Sequence, residues 1–237
     1  MSKPLIVAVG ASAGGLEALR DMFRSAPSHT GMSFVVVQHL SPDFKSMMVE
    51  LLSRQTALTV ETARDGVIPQ AETVYVIEPG TLIRLEGDAL RIEHTVQRDR
   101  VHLPIDHFFE SVAIAREGHC VGVVLSGTGS DGSKGLEAIK EHGGTAVVQE
   151  PKSAAFDGMP RAALRTGVAD LVLAPELIIQ ELIDLEQSGA AHVAALYTQK
   201  VDLGDGDALT EFWVAARAKL KSTGKGHVTL RIVVEED

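Results

Sequence analysis

The chain has 237 residues, 45% of them apolar, and a formal net charge of −10, which suits one well-buried core with a small appendage. The acidic balance, with no cluster of Lys and Arg, excludes a nucleic-acid binder, because neutralising phosphates takes grouped cations. The single cysteine, Cys120, excludes an intramolecular disulfide framework and suits a reducing compartment.

Lys3 and Pro4 lead straight into core-like sequence, so no secretory leader is expected. No apolar run approaches the roughly 20 residues of a membrane span. The expectation is a cytoplasmic protein without membrane insertion. From Leu5 the chain reads L-I-V-A-V-G-A-S-A-G-G. Five unbroken apolar residues predict a central parallel strand, buried on both faces. A helix over 16–25 follows, with Leu16, Leu19, Met22 and Phe23 on its apolar face. Residues 33–39 predict a second buried strand, and 45–54 a helix with Met47, Met48, Leu51 and Leu52 inward. Shorter strands are expected at 59–63 and 73–77.

A hairpin is predicted over 81–85 and 89–93, turning at Gly87 and Asp88. Residues 97–103 read as a polar, basic loop. Pro104, Ile105 and Asp106 open a helix to about Glu117. A buried strand over 121–126 empties into Gly127-Thr128-Gly129-Ser130-Asp131-Gly132. Helices are then expected at 133–142, 160–166 and 175–187, and strands at 145–149 and 170–173. The tail, about 189–237, shows an amphipathic pattern over 209–220, a break at 222–226 and a β-like stretch over 228–234. No internal repeat is visible.

Alternating helices and near-continuous apolar strands predict an α/β fold: a doubly wound, mostly parallel, Rossmann-like sheet with a β-hairpin insertion and a small C-terminal extension. The domain reading is 1–188 for the main unit and 189–237 for the extension. In such sheets ligands gather at the carboxyl ends of the strands. Three strands end there in polar or glycine-bearing loops, presenting Ser12, His39 and Asp131.

Each residue has more than one reading. Gly10-Ala11-Ser12-Ala13-Gly14 fits the G-x-S-x-G elbow that exposes a nucleophilic serine. The same small residues would also let a helix pack closely, or bind a phosphate at its N-terminus. The dinucleotide fingerprint G-x-G-x-x-G is broken, since Ser12 occupies its second glycine position. His39 reads as a general base or as a cap on a strand end. Asp131 reads as the carboxylate that orients a histidine, or as the N-cap of the helix that follows it. His102 and His107 lack metal-ligand spacing, and the D-L-G-D-G-D run at 202–207 lacks the rest of a calcium loop. Neither a metal nor an organic cofactor is expected.

Several longer motifs occur in one order: V-G-A-S-A-G-G at 9–15, V-V-Q-H-L-S-P at 36–42, Y-V-I-E-P-G at 75–80, P-I-D-H-F-F-E-S at 104–111, L-S-G-T-G-S-D-G at 125–132 and A-F-D-G-M-P-R-A-A at 155–163. On these, residues 5 to about 186 resemble the catalytic domain of the CheB-type chemotaxis protein-glutamate methylesterases. The resemblance implies hydrolysis of glutamate γ-methyl esters on chemoreceptors, and glutamine deamidation in some members. It places the family's serine, histidine and aspartate on Ser12, His39 and Asp131. Backbone N–H groups of Ala13, Gly127, Thr128 and Gly129 are the candidate oxyanion donors. The implied partners are methylated chemoreceptor helices, signalling proteins or a methyltransferase.

The chain departs from well-known members at Thr128, where they carry methionine, and at Ala13, where they carry threonine. A regulatory receiver domain, usual ahead of the catalytic one, is not expected in this chain, which is similar in that respect to the first module of methylesterase–methyltransferase fusions. The alternatives are a catalytically silent docking module of a chemosensory pathway and a nucleotide-binding domain using the turn at 10–15.

Overall fold

Strand β1, Leu5–Ala11, separates two cores: Leu5, Val7, Val9 and Ala11 face one, Ile6 and Ala8 the other. This two-sided burial is why its sequence is continuously apolar rather than alternating. The computed structural model describes residues 3–38, 47–94, 103–187, 197–200 and 230–233. From β1 the chain runs through α1 (Gly15–Arg24), β2 (Met32–Gln38), α2 (Met48–Ser53), β3 (Thr59–Thr62) and β4 (Thr73–Val76). It continues through β5 (Thr81–Glu86), β6 (Ala89–His94), α3 (Pro104–Arg116), β7 (Cys120–Val124), α4 (Ser133–Glu141) and β8 (Thr145–Gln149). After a 3₁₀ turn at Pro151–Ser153 come α5 (Gly158–Arg165), β9 (Leu171–Leu173) and α6 (Pro175–Gln187).

Seven strands form one parallel sheet in the order β3-β4-β2-β1-β7-β8-β9. Helices α1, α2 and α6 cover one face, with Leu19, Phe23, Leu52 and Ile178 fully or almost fully buried. Phe23 of α1 meets Phe34 of β2 edge-to-face, with ring centroids 5.2 Å apart. Each buried ring is worth roughly 1.5–3 kcal/mol, and their mutual contact about 0.5–1.5 kcal/mol more. Helices α3, α4 and α5 cover the other face, together with Ile83, Leu85 and Leu90 of the antiparallel β5–β6 hairpin. The expected doubly wound α/β fold with a hairpin insertion is the one observed.

The strand order reverses between β1 and β7, because the chain builds outward from β1 on one side and then returns to its other edge. Such a reversal opens a crevice at the carboxyl ends of the two strands. Residues 12–15 and 125–132 lie there.

Several boundaries differ from those read in the sequence. Met47 is exposed and Leu51 only partly buried, so α2 packs mainly through Met48 and Leu52, with Val49 partly buried beside them; Met47 stands at the N-cap, ahead of the helix proper. Helix α5 begins at Gly158 rather than Pro160, since proline is tolerated throughout a first turn, where its missing N–H is not needed. In the tail, Tyr197–Lys200 (β10) and Leu230–Val233 (β11) pair in parallel; β11 matches the expected β-like stretch. The helix expected over 209–220, the break at 222–226 and the run at 202–207 lie outside the described residues, as does most of the loop at 97–103. Among the described residues no helix is long and apolar enough to cross a membrane.

Candidate active site

Ser12 follows the last residue of β1 and sits on a turn closed by a hydrogen bond from the Gly15 N–H to its own carbonyl, 2.9 Å. The turn requires a left-handed residue at Gly14, φ 68°, where any side chain would be strained. A Cβ there would also come within 2.8 Å of Ala155 Cβ and of Ser126 Oγ. The Ser12 N–H donates to the Ser126 carbonyl at 2.9 Å, and the Gln38 side-chain amide donates to the Ser12 carbonyl at 3.3 Å. Both bonds fix the backbone of residue 12 and leave its side chain unused. Among the described residues, none hydrogen-bonds the Ser12 hydroxyl. This is the geometry of a strand-to-helix elbow that presents its hydroxyl.

The loop after β7 runs directly beside Ser12. A Cβ added to Gly127 would collide with Met159 Sδ and lie 2.9 Å from Ser12 Cβ, so glycine alone allows this approach. Of the four backbone groups expected to face an oxyanion, the Gly127 N–H is already committed to the Phe156 carbonyl at 2.9 Å. The N–H groups of Ala13, Thr128 and Gly129 have no partner among the described residues.

Asp131 is almost fully buried, with 3% of its surface exposed. Its two carboxylate oxygens accept N–H bonds from Ile105 (3.0 Å), Asp106 (2.9 Å) and Gly132 (3.0 Å). Asp131 therefore caps α3, not the α4 helix that follows it; α4 starts from left-handed Gly132 instead. The carboxylate also gains from the positive end of the α3 dipole. Ile105 in turn packs on Gly10, two residues before Ser12. The chain thus holds Ser12 and Asp131 on the same edge of the sheet, through β1, α3 and the loop after β7. His39 follows directly on β2, whose last residue Gln38 pairs with Ala11, and lies outside the described residues.

A second carboxylate that sequence reading took only as a helix opener lies behind Asp131. Asp106 Oδ1 accepts the Gly135 N–H at 2.7 Å, so Asp131 caps the start of α3 while Asp106, within α3, caps the first turn of α4. Burial pushes the Asp106 carboxyl above its ordinary value; the Gly135 N–H opposes this, and the Asp131 charge adds to it.

Beside the elbow, Thr128 and Gly129 face residues 154–158 across an open groove of about 480 Å³. Phe156, 47% exposed, stands in its wall. The only cysteine is no competing nucleophile: it is buried in β7, and burial pushes its thiol up to about 11. No group of three His, Cys, Asp or Glu side chains suited to a metal ion occurs among the described residues.

A family model described as CheB methylesterase matches residues 7–182. The protein-glutamate methylesterase/protein-glutamine glutaminase 2 of Cupriavidus metallidurans is 38% identical over 181 residues, covering 76% of this chain and 54% of that protein. The protein-glutamate methylesterase/protein-glutamine glutaminase of Geobacillus kaustophilus is 35% identical over 185 residues, covering 76% of this chain and 53% of that protein. The chain thus spans about half the length of these curated relatives. The crystal structure of the Thermotoga maritima CheB methylesterase catalytic domain superposes with a TM-score of 0.70 at 28% identity, covering 78% of this chain and all of that one.

Proposed function

The chain belongs to the CheB methylesterase family, and we propose that it is a serine esterase hydrolysing glutamate γ-methyl esters on chemoreceptors, with glutamine deamidation as a second activity of the same site. The observation that carries this reading is the elbow: a serine with its backbone held on both sides and its hydroxyl unengaged among the described residues, at the sheet's switch point. Residues 1–188 form the catalytic unit in this reading and 189–237 an extension.

Ser12 Oγ attacks the ester carbonyl carbon while His39 takes the hydroxyl proton. The carbonyl oxygen becomes an oxyanion, met by the N–H groups of Ala13 and of Thr128 or Gly129. As the tetrahedral adduct collapses, the methoxy group leaves with the proton from His39, as methanol, and an acyl-serine remains. His39 then deprotonates water, which attacks the acyl carbon; Ser12 recovers its proton and the glutamate product leaves. With a glutamine substrate the leaving group is ammonia. Asp131 holds the imidazole tautomer and stabilises its charged form. Nothing in these steps calls for a metal or an organic cofactor.

The groove between Thr128 and Phe156 is open at the surface, which suits a glutamate side chain standing on the face of a long receptor helix. Methylated chemoreceptor helices are the proposed substrate, signalling proteins or a methyltransferase the further partners, and the cytoplasm the place of action. Methanol release from methylated receptor fragments tests the reading. Ser12→Ala and His39→Ala are each expected to lower turnover about 10⁴- to 10⁶-fold with the fold intact. No release by the wild-type chain, or release that survives Ser12→Ala, would contradict it.

A further inference from the structure

The hydroxyl of Ser126 is fully buried at the end of the loop-bearing strand and joins three segments distant in sequence. It donates to the Ala13 carbonyl at 2.9 Å, with the Phe156 carbonyl 3.3 Å away, and accepts the Phe156 N–H at 3.0 Å. The same residue's carbonyl accepts the Ser12 N–H at 2.9 Å. Ser126 therefore grips both ends of the Ser12–Ala13 dipeptide: the N–H of residue 12 and the C=O of residue 13. What lies between them is the Ser12 side chain and the unpartnered Ala13 N–H. Ser126 is itself anchored, because its N–H donates to Gln149 Oε1 at 2.8 Å, and Gln149 is buried at the end of β8.

The groove wall is tied to the same point. Phe156 is held through its N–H by the Ser126 hydroxyl and through its carbonyl by the Gly127 N–H at 2.9 Å. A hydroxyl has one proton and two lone pairs, and this one is used toward the nucleophile's turn and the groove together. Removing it leaves the Ala13 carbonyl and the Phe156 N–H, both only part-buried, without this partner and frees both segments to shift.

We propose that Ser126 is a positioning residue, whose hydroxyl sets the Ser12 elbow and the Phe156 groove wall in register so that a bound side chain meets the nucleophile and the Ala13 N–H together. The inference rests on the proposed esterase function. Misplacement of a reacting group by an ångström or so can cost about 10²-fold in rate, so the loss should appear in kcat as well as in substrate binding.

The test is methanol release from a methylated receptor fragment, with kcat and KM separated and kcat counted per site that takes up a fluorophosphonate, so that unfolded enzyme does not enter the count. Ser126→Ala is expected to lower kcat per site roughly 10- to 100-fold and to raise KM. Phe156→Ala, which trims the wall and leaves the backbone bonds in place, is expected to raise KM several-fold with little change in kcat. Should Ser126→Ala fail to fold, Ser126→Cys, with a weaker donor and acceptor, is expected to show the same pattern in smaller measure. A Ser126 variant with kcat per site and KM within twofold of wild type overturns the inference, as does a loss in KM alone. Ser12→Ala separates the two claims. If it is inactive while Ser126→Ala is unimpaired, only the positioning role falls. If it still releases methanol, the proposed function falls and this inference with it.

Discussion

Gly127 shows how much of the site is written in single positions. Its missing side chain lets the loop after β7 lie against Ser12 Cβ and Met159. Gly127→Ala is expected to destabilise the fold by about 1–3 kcal/mol through overpacking, and to lower turnover further by pushing the loop's N–H groups away from Ser12. Urea unfolding and methanol release on the same preparation check this; an alanine variant with normal stability and turnover would mean that the loop has room. The residue scale is also where sequence reading was weakest. Ser126 ends an apolar run and reads as an ordinary strand residue. Its hydroxyl contacts lie 113 and 30 residues away along the chain, and no local pattern encodes those. The alternatives for Asp131 were an orienting carboxylate or the cap of α4. Its capping partner proved to be α3, about 25 residues earlier, a pairing that spacing cannot reveal.

At the scale of elements, α3 and α4 are locked by exchanged carboxylates. Asp131 caps the start of α3, and Asp106 of α3 caps the first turn of α4 at Gly135. The arrangement brings two carboxyl groups together in a buried region, and the Asp106 carboxyl is raised above its ordinary 3.8. For a raised acid the native state binds more protons than the unfolded one between the ordinary and the raised value. Stability therefore falls as pH rises through that window, and it recovers on acidification. Asp106→Asn keeps an oxygen for the Gly135 N–H and removes the charge. It is expected to abolish that slope and to leave stability at neutral pH equal or higher; Asp106→Ala, which leaves the N–H unpaired, is expected to lose about 1–3 kcal/mol. Urea midpoints measured from pH 4 to 7 decide the matter. An asparagine variant that keeps the wild-type slope would show that another group titrates.

At the scale of the whole molecule, the parallel sheet was legible because its strands are apolar on both faces. Leu5–Ala11, Met32–Gln38 and Cys120–Val124 are buried along almost their whole length, and only a two-sided sheet explains that pattern. The carboxyl edge that carries the candidate residues followed from the same strands, since each ends abruptly in small or polar residues, whereas the reversal between β1 and β7 is known only from the strand order. The groove was not legible. Its walls come from Thr128, Gly129 and residues 154–158, segments that meet only because α5 docks against the loop after β7, with the Met159 N–H on the Gly127 carbonyl at 2.9 Å. Ser12 thus stands where three levels of description agree: an elbow motif, a strand end and a topological reversal.

The most direct test of Ser12 as the nucleophile is to treat the protein with a fluorophosphonate and locate the added mass by peptide fragmentation. Attack of the hydroxyl on phosphorus expels fluoride and leaves a stable phosphonyl-serine. The expected result is one adduct per chain, on Ser12, absent from Ser12→Ala and strongly slowed in His39→Ala. An adduct on another serine, or none on a folded wild-type chain that is active, would contradict the account.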